Sequence, residues 1–389
     1  AIAYKDSKYY DSAARIFDKL VNDPKFAKSE FKTDSTFQLA ENYKLFFAFD
    51  KATDAYLAFM QATENTKNPN RPYALYTAAR LEEYAGHIKQ AAATYERYAE
   101  TFKDSEEAAN ALFRAAELHE KNSDRDAQRR VLLTFIKRFK DSQGMSTRIL
   151  MAMMQLGDIA LAQGKTREAA KQYEDVGREY QVRGFQPGTA ASEAAAKAKF
   201  MIIEQKFADY AKIRLTGSVQ QKMAADLKRK RKVLDDLELA YAEVFPYKSL
   251  DWTIAAFFRL GDIYRDFADT LYKAPQPRGL SEEELQIFTN QVEDEGLKFE
   301  NTAIERFEKT VTESRRLKVT NDWAKRALEA INKYKPQDYP LFKEPKRRPT
   351  FEPRFRIDAR TVGAPTKATP PPAPPTTPTP TPDPNTGAP

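Results

Sequence analysis

Two histidines, His87 and His119, and four runs of carboxylates are the groups in this 389-residue chain best suited to acid–base or metal chemistry. Neither histidine has a second one at metal-ligand spacing. His87 follows Gly86 in an expected turn and His119 falls near the end of an expected helix, so both read as surface or capping residues. The carboxylate runs are Glu82-Glu83, Glu106-Glu107, Asp235-Asp236 and Glu293-Asp294-Glu295. General acid–base work needs two carboxylates converging in a shielded pocket with their pKa values driven apart. Adjacent helix residues point in different directions, so these runs read as solvated faces. No Cys occurs, which removes disulfides, thiol catalysis and Cys-ligated metals. No GxSxG, HExxH, GxGxxG or phosphate-loop pattern is present. The expectation is a non-enzyme without cofactor or metal.

Lys228, Arg229, Lys230, Arg231 and Lys232 form the sharpest charge run. An acidic partner or an anionic lipid is its natural ligand; a solvated helix face is the plainer reading. Nucleic acid is not expected: no aromatic residues interleave for base stacking, and Asp235, Asp236 and Glu238 follow within two turns. Lys346-Arg347-Arg348 reads similarly. The net charge of +7 is spread through most of the chain. No apolar run approaches the roughly 18 residues of a membrane span.

Such residues must be positioned by helices. Gly is scarce, at 13, and Ala, Leu, Lys and Glu abound. Internal repetition organises them. Ala91–Ser105 (AAATYERYAETFKDS) and Gln128–Ser142 (QRRVLLTFIKRFKDS) align without gaps, pairing Tyr95 with Leu132, Tyr98 with Phe135 and Phe102 with Phe139. Gln155–Ile159 and Arg259–Ile263 share Leu-Gly-Asp-Ile. A small residue followed by a large one a turn later recurs as Ala13/Phe17, Ala52/Tyr56, Ala91/Tyr95, Ala169/Tyr173 and Ala303/Phe307. The anchors 13, 52, 91, 128 and 169 are spaced 39, 39, 37 and 41 residues apart.

These series resemble tetratricopeptide (TPR) repeats, in a divergent bacterial envelope form whose period exceeds the family's usual one. The closing run Trp323–Lys346 is similar to the ends of envelope TPR proteins of the deltaproteobacterial type. The resemblance implies an all-α, right-handed solenoid of stacked antiparallel helix hairpins, because no hairpin can bury its apolar face alone. In this family the first helices line a concave ligand face. Carried over by repeat position, that face would hold Tyr73, Asn110 and Met151; Phe37, Tyr76, Phe113 and Met154; Glu41, Arg80, Glu117 and Asp158; and Lys44, Glu83 and Glu120. The aromatic and Met members read equally as a groove for a peptide or as core between repeats. The family's two-lysine, two-asparagine carboxylate clamp is not matched.

The expected organisation is a run of repeats over 1–183, the first truncated, then a long irregular helical hairpin over 184–248. A divergent hairpin with a capping helix follows over 249–334. The Pro-punctuated 335–362 reads as an extended strap, and the Pro/Thr-rich 363–389 as a disordered tail. The chain starts at Ala1 within a repeat, which leaves open a signal peptide or lipid anchor upstream. The expected function is a protein- or peptide-binding scaffold in the periplasm or cell envelope. A cytoplasmic adaptor, or the TPR segment of a larger protein, is the alternative.

Overall fold

Five turns with one backbone signature set the register of the first half. The structure, a computed structural model, describes residues 1–216 and 220–341. Most of the expected strap and the whole expected tail lie outside the described residues. The described residues contain no strand and fifteen α-helices. These are α1 (Ile2–Asp6), α2 (Tyr10–Asn22), α3 (Lys32–Leu45), α4 (Phe49–Ala62), α5 (Asn70–Tyr84), α6 (Ile88–Thr101), α7 (Glu107–Lys121), α8 (Arg125–Phe139), α9 (Ser146–Ala162), α10 (Thr166–Val182), α11 (Ala190–Tyr210), α12 (Gln220–Ala242), α13 (Leu250–Tyr272), α14 (Glu282–Leu317) and α15 (Asp322–Asn332).

The first helices of the repeats (α1, α3, α5, α7, α9) each end two residues before a left-handed residue: Lys8, Phe47, Gly86, Ser123 or Gly164. The next N–H then bonds back to the carbonyl five residues earlier, as His87 does to Glu82 (2.8 Å) and Lys165 to Ala160 (2.9 Å). This closes the helix end and satisfies its orphan carbonyls. A side chain in this conformation costs about 1–2 kcal/mol, so Gly86 and Gly164 make the turn without strain. The carbonyl of the same residue that bonds back, the one after the left-handed position, accepts the N–H of Ala13, Ala52, Ala91, Gln128 or Ala169 at 2.9–3.0 Å. Each sequence anchor therefore sits at the same point of its hairpin, and all five are buried.

Consecutive helices pack from α1 to α11 and again from α11 to α15. The buried side chains form three clusters, spanning Ala13–Ile159, Leu150–Ala198 and Ala196–Ile331. The middle cluster shares α9 with the first and α11 with the third, so one apolar spine runs from α2 to α15. This is the expected all-α, TPR-like arrangement of hairpins. Beyond α10 the pattern loosens: α11 packs on α9 and α13 as well as on its chain neighbours, and α15 packs on both α13 and α14. Tyr339, at the start of the expected strap, donates its hydroxyl to Glu308 on α14 (2.6 Å).

One buried acid opposes the fold. Glu82 on α5 is 7% exposed, and its Oε2 has no hydrogen-bond partner. Burial raises its pKa, with the Thr94 hydroxyl and His87 partly offsetting the effect. Its native form thus holds a proton that the unfolded chain has released, so stability falls as pH rises from the ordinary value near 4.5 through the raised one. Glu82→Gln should remove this slope. Urea titrations should find the variant more stable than the parent at pH 7, by about 1 kcal/mol, and equal to it below pH ~4. An unchanged difference between those pH values would contradict the assignment.

Candidate partner-binding site

Large side chains, most of them on the first helices α5, α7 and α9, enclose a concavity of about 530 Å3. It brings together six of the residues expected from sequence: Tyr76, Arg80, Glu83, Asn110, Phe113 and Glu117. Tyr84, Tyr95, Arg114 and Arg148 complete it.

The aromatic members serve two roles at once. Phe37 packs on Phe59, Tyr76 on Tyr98, and Phe113 on Phe135, with ring centroids 5.2, 5.2 and 5.5 Å apart. Each pair lies within one hairpin, 22 residues apart. Phe113 is only 8% exposed, so it forms floor rather than free surface. Phe37 is also wedged against Tyr56 and Tyr73. Tyr73 is half exposed, and its hydroxyl accepts from Lys44 (2.5 Å). Met151 and Met154 are partly buried against the middle cluster. Asp158 accepts from the Tyr173 hydroxyl (2.9 Å) and from Lys197 on α11 (2.5 Å). These three α9 residues are not among those lining the concavity, and Glu120 and Asp158 line a separate recess beside Gln155.

Charge in the concavity is uneven. Arg114 bridges Glu83 on α5 and Glu117 on its own helix. The Arg114 hydrogen bond holds the Glu83 carboxyl below its ordinary range, against the effect of burial. Among the described residues, Arg80 bonds only the Tyr84 hydroxyl (2.9 Å). Arg148 bonds Asn110 and the Met145 sulfur and lies over the Phe113 ring, 5.9 Å from its centroid. Among the described residues, no carboxylate is within ion-pair distance of Arg80 or Arg148. Three guanidiniums therefore face two carboxylates. The carried-over positions omit Arg114 and Arg148, yet Arg80, Arg114 and Arg148 recur every 34 residues, a spacing visible in the sequence. The hairpin frame of 37 to 41 residues places them at different repeat positions, so a position-by-position reading passes over them.

Two expectations need correction. Lys228, Arg229, Lys230, Arg231 and Lys232 do not act as one patch. The Lys230 side chain is fully buried: its ammonium donates to Asp266 (2.5 Å) and to the Ile213 carbonyl (2.9 Å), 4.4 Å from the centre of the Tyr210 ring. Burial draws its pKa below the usual lysine value, with Asp266 opposing. Arg231 pairs with Asp235 (3.1 Å) and covers Phe299. Lys228, Arg229 and Lys232 remain exposed. Likewise His119 is not a surface residue. Its side chain is 12% exposed and meets Glu96 at 2.7 Å, and Glu96 also accepts from Arg130 (2.6 Å). His87 is half exposed in its turn, 3.8 Å from Asp50.

Among the described residues, no cluster of three or more His, Asp or Glu is placed to hold a metal ion. No described helix is long and apolar enough to cross a membrane.

No family model matches the chain, and no curated protein matches it. Solved helical-repeat structures do. BtubC (BKLC) from P. vanneervenii is 14% identical, over 59% of this chain and 89% of that one, with a TM-score of 0.33. A Podosopora anserina putative kinesin light chain with nearly identical TPR-like repeats is 13% identical, over 52% of this chain and 94% of that one, with a TM-score of 0.32. A point variant of that same light chain is 14% identical, over 53% and 95%, with a TM-score of 0.31. Superpositions this loose carry no argument about function. The assignment as TPR-like hairpins rests on the chain's own turns and helix pairing.

Proposed function

We propose that this chain is a non-catalytic scaffold that holds partner proteins or peptides on the face of its first helices. The observation that carries this reading is the concavity on α5, α7 and α9, where Arg80 and Arg148, beside Tyr76, Tyr84 and Phe113, have no carboxylate partner among the described residues. A guanidinium with free donors in a half-enclosed site favours a carboxylate, and the adjoining rings favour an apolar or aromatic neighbour. The ligand is accordingly a peptide segment bearing an acidic group next to a large apolar side chain. The cell envelope is the proposed location, supported by the absence of Cys and by the Pro/Thr-rich composition of 363–389. A cytoplasmic adaptor, or part of a larger protein, is the competing placement.

Charge reversal tests the site without touching its floor. Replacing Phe113 by Ala would report on stability, since large buried aromatics cost about 3–5 kcal/mol when truncated. Arg80→Glu combined with Arg148→Glu should instead leave the thermal melt nearly unchanged, while in-cell crosslinking yields of bound partners fall roughly tenfold or more. An unaltered crosslinking profile would remove the groove from consideration. Fractionation of tagged protein decides the location: recovery with cytosolic markers would favour the adaptor reading.

A further inference from the structure

We infer that the cleft formed by α12, the end of α13 and the overhanging start of α14 is a docking site for a basic amphipathic helix of a partner protein. The cleft lies at the other end of the described chain from the arginine concavity and does not depend on it.

Helix α14 is 36 residues long and its partner α13 only 23. They meet where Tyr272, the last residue of α13, packs its ring against Gly296. Before Gly296, α14 buries none of its residues. The stretch Glu282–Glu295, roughly 21 Å at 1.5 Å per residue, therefore runs beyond α13. Isolated helical segments of this length are marginal in water. This one is held by a complete capping box: the Ser281 hydroxyl accepts from the Glu284 N–H (3.3 Å), and the Glu284 carboxylate accepts from the Ser281 N–H (2.8 Å). Three glutamates in the first turn also suit the helix dipole. A rigid, pre-formed helix lowers the ordering cost of binding.

The overhang carries an apolar stripe that the described chain covers only in part. Leu285, Phe288 and Val292 follow helical spacing and continue into the buried Phe299 and Ala303. Phe288 and Val292 form one wall of a cleft of about 570 Å3, opposite Leu215, Met223 and Leu227, with Leu271 and Ala274 at its base. That volume suits a few large apolar anchors.

Charge selects the occupant. From Glu282 to Glu295 the overhang has six carboxylates and no cation. Asp294 and Glu295 stand in the cleft itself, where Lys298, bonded to Glu295 (2.9 Å), is the one cation among the described lining residues. Helical periodicity places Glu284 on the same face as Phe288 and Glu295. An acidic helix as occupant would meet this row of like charge, whereas Lys or Arg beside the apolar anchors complements it. The exposed Lys228 on α12 sets the orientation, with the basic flank of the partner along α14. The mode is a helix laid in a groove, read out by anchors at i, i+3 or i+4, and i+7.

The test uses the full chain and two fluorescein-labelled 18-residue synthetic helices. Both carry the same Leu/Phe stripe; one has Lys and Arg on its flank and the other has Glu. The basic probe should bind saturably, roughly tenfold or more tighter than its acidic counterpart, and should weaken as salt rises. Phe288→Asp should abolish the difference. If that variant loses helicity, Asp294→Lys with Glu295→Lys keeps the apolar walls and should reverse the preference. Arg80→Glu with Arg148→Glu should leave binding of the basic probe unchanged, and the two probes are compared in that background so that the arginine concavity does not capture the acidic one. Equal binding of the two probes, or full binding by Phe288→Asp, would overturn the assignment. So would a concentration-dependent dimer abolished by Phe288→Asp, which would make a second copy the occupant.

Discussion

Replacing Arg259 by Ala should lower the stability of the α11–α15 region by about 3–5 kcal/mol, the usual result of removing one member of a buried ion cluster. Arg259 on α13 is 15% exposed at its side chain. Its guanidinium donates to Glu204 on α11 through Nε (2.8 Å) and Nη2 (2.5 Å), and to Asp262 through Nη1 (2.6 Å). Glu204 also accepts from the Tyr241 hydroxyl on α12 (2.7 Å). The guanidinium lies 4.4 Å from the centre of the Phe207 ring and 5.2 Å from that of Trp323 on α15. A single side chain thus ties together four helices. Without it Asp262 retains Arg265, but Glu204 is left largely buried with no cation. In a solenoid each unit leans mainly on its neighbours, so the loss should be local. Hydrogen exchange should show α11–α15 losing protection while α3–α8 keep theirs. The double variant with Glu204→Ala should recover part of the loss, giving a coupling energy. A change below about 1 kcal/mol would mean that the cluster is dispensable.

Gly157→Ala should destabilise the α9–α10 hairpin by about 1–3 kcal/mol, although helix propensity alone favours Ala by about 1 kcal/mol. A Cβ on Gly157 would stand 2.7 Å from Cδ1 of Tyr173. That ring is fully buried, and its hydroxyl is held by Asp158. The ring has nowhere to turn, so α9 and α10 must separate. Gly177→Ala on α10 is the matched control. Nothing lies within 4 Å of its added Cβ, and the propensity gain of about 1 kcal/mol should appear unopposed. The two substitutions should shift the denaturant midpoint in opposite directions. The same sign for both would break the argument that close helix approach, and not glycine flexibility, explains the Leu-Gly pair.

The sequence was enough to establish helices, hairpins and their register, because each rests on local physics. The anchors Ala13, Ala52, Ala91 and Ala169 were readable since a small residue and a large one a turn apart recur there, and Gln128 was readable from its gapless alignment with Ala91. The turns at Gly86 and Gly164 announce themselves by the one residue that takes a left-handed backbone freely. Which polar side chains face each other was not readable, because that depends on how successive hairpins stack. Only the tertiary structure buried Lys230 against Asp266, closed His119 onto Glu96, and gathered Arg80, Arg114 and Arg148 into one concavity. It alone revealed that α14 outruns α13 and leaves an apolar stripe only partly covered, since helical periodicity fixes which side of a helix is apolar but not what lies opposite. A side chain's direction around its own helix follows from 3.6 residues per turn. Its partner on the next helix follows from the offset between stacked hairpins, which repeats of unequal length leave unspecified until the chain is folded.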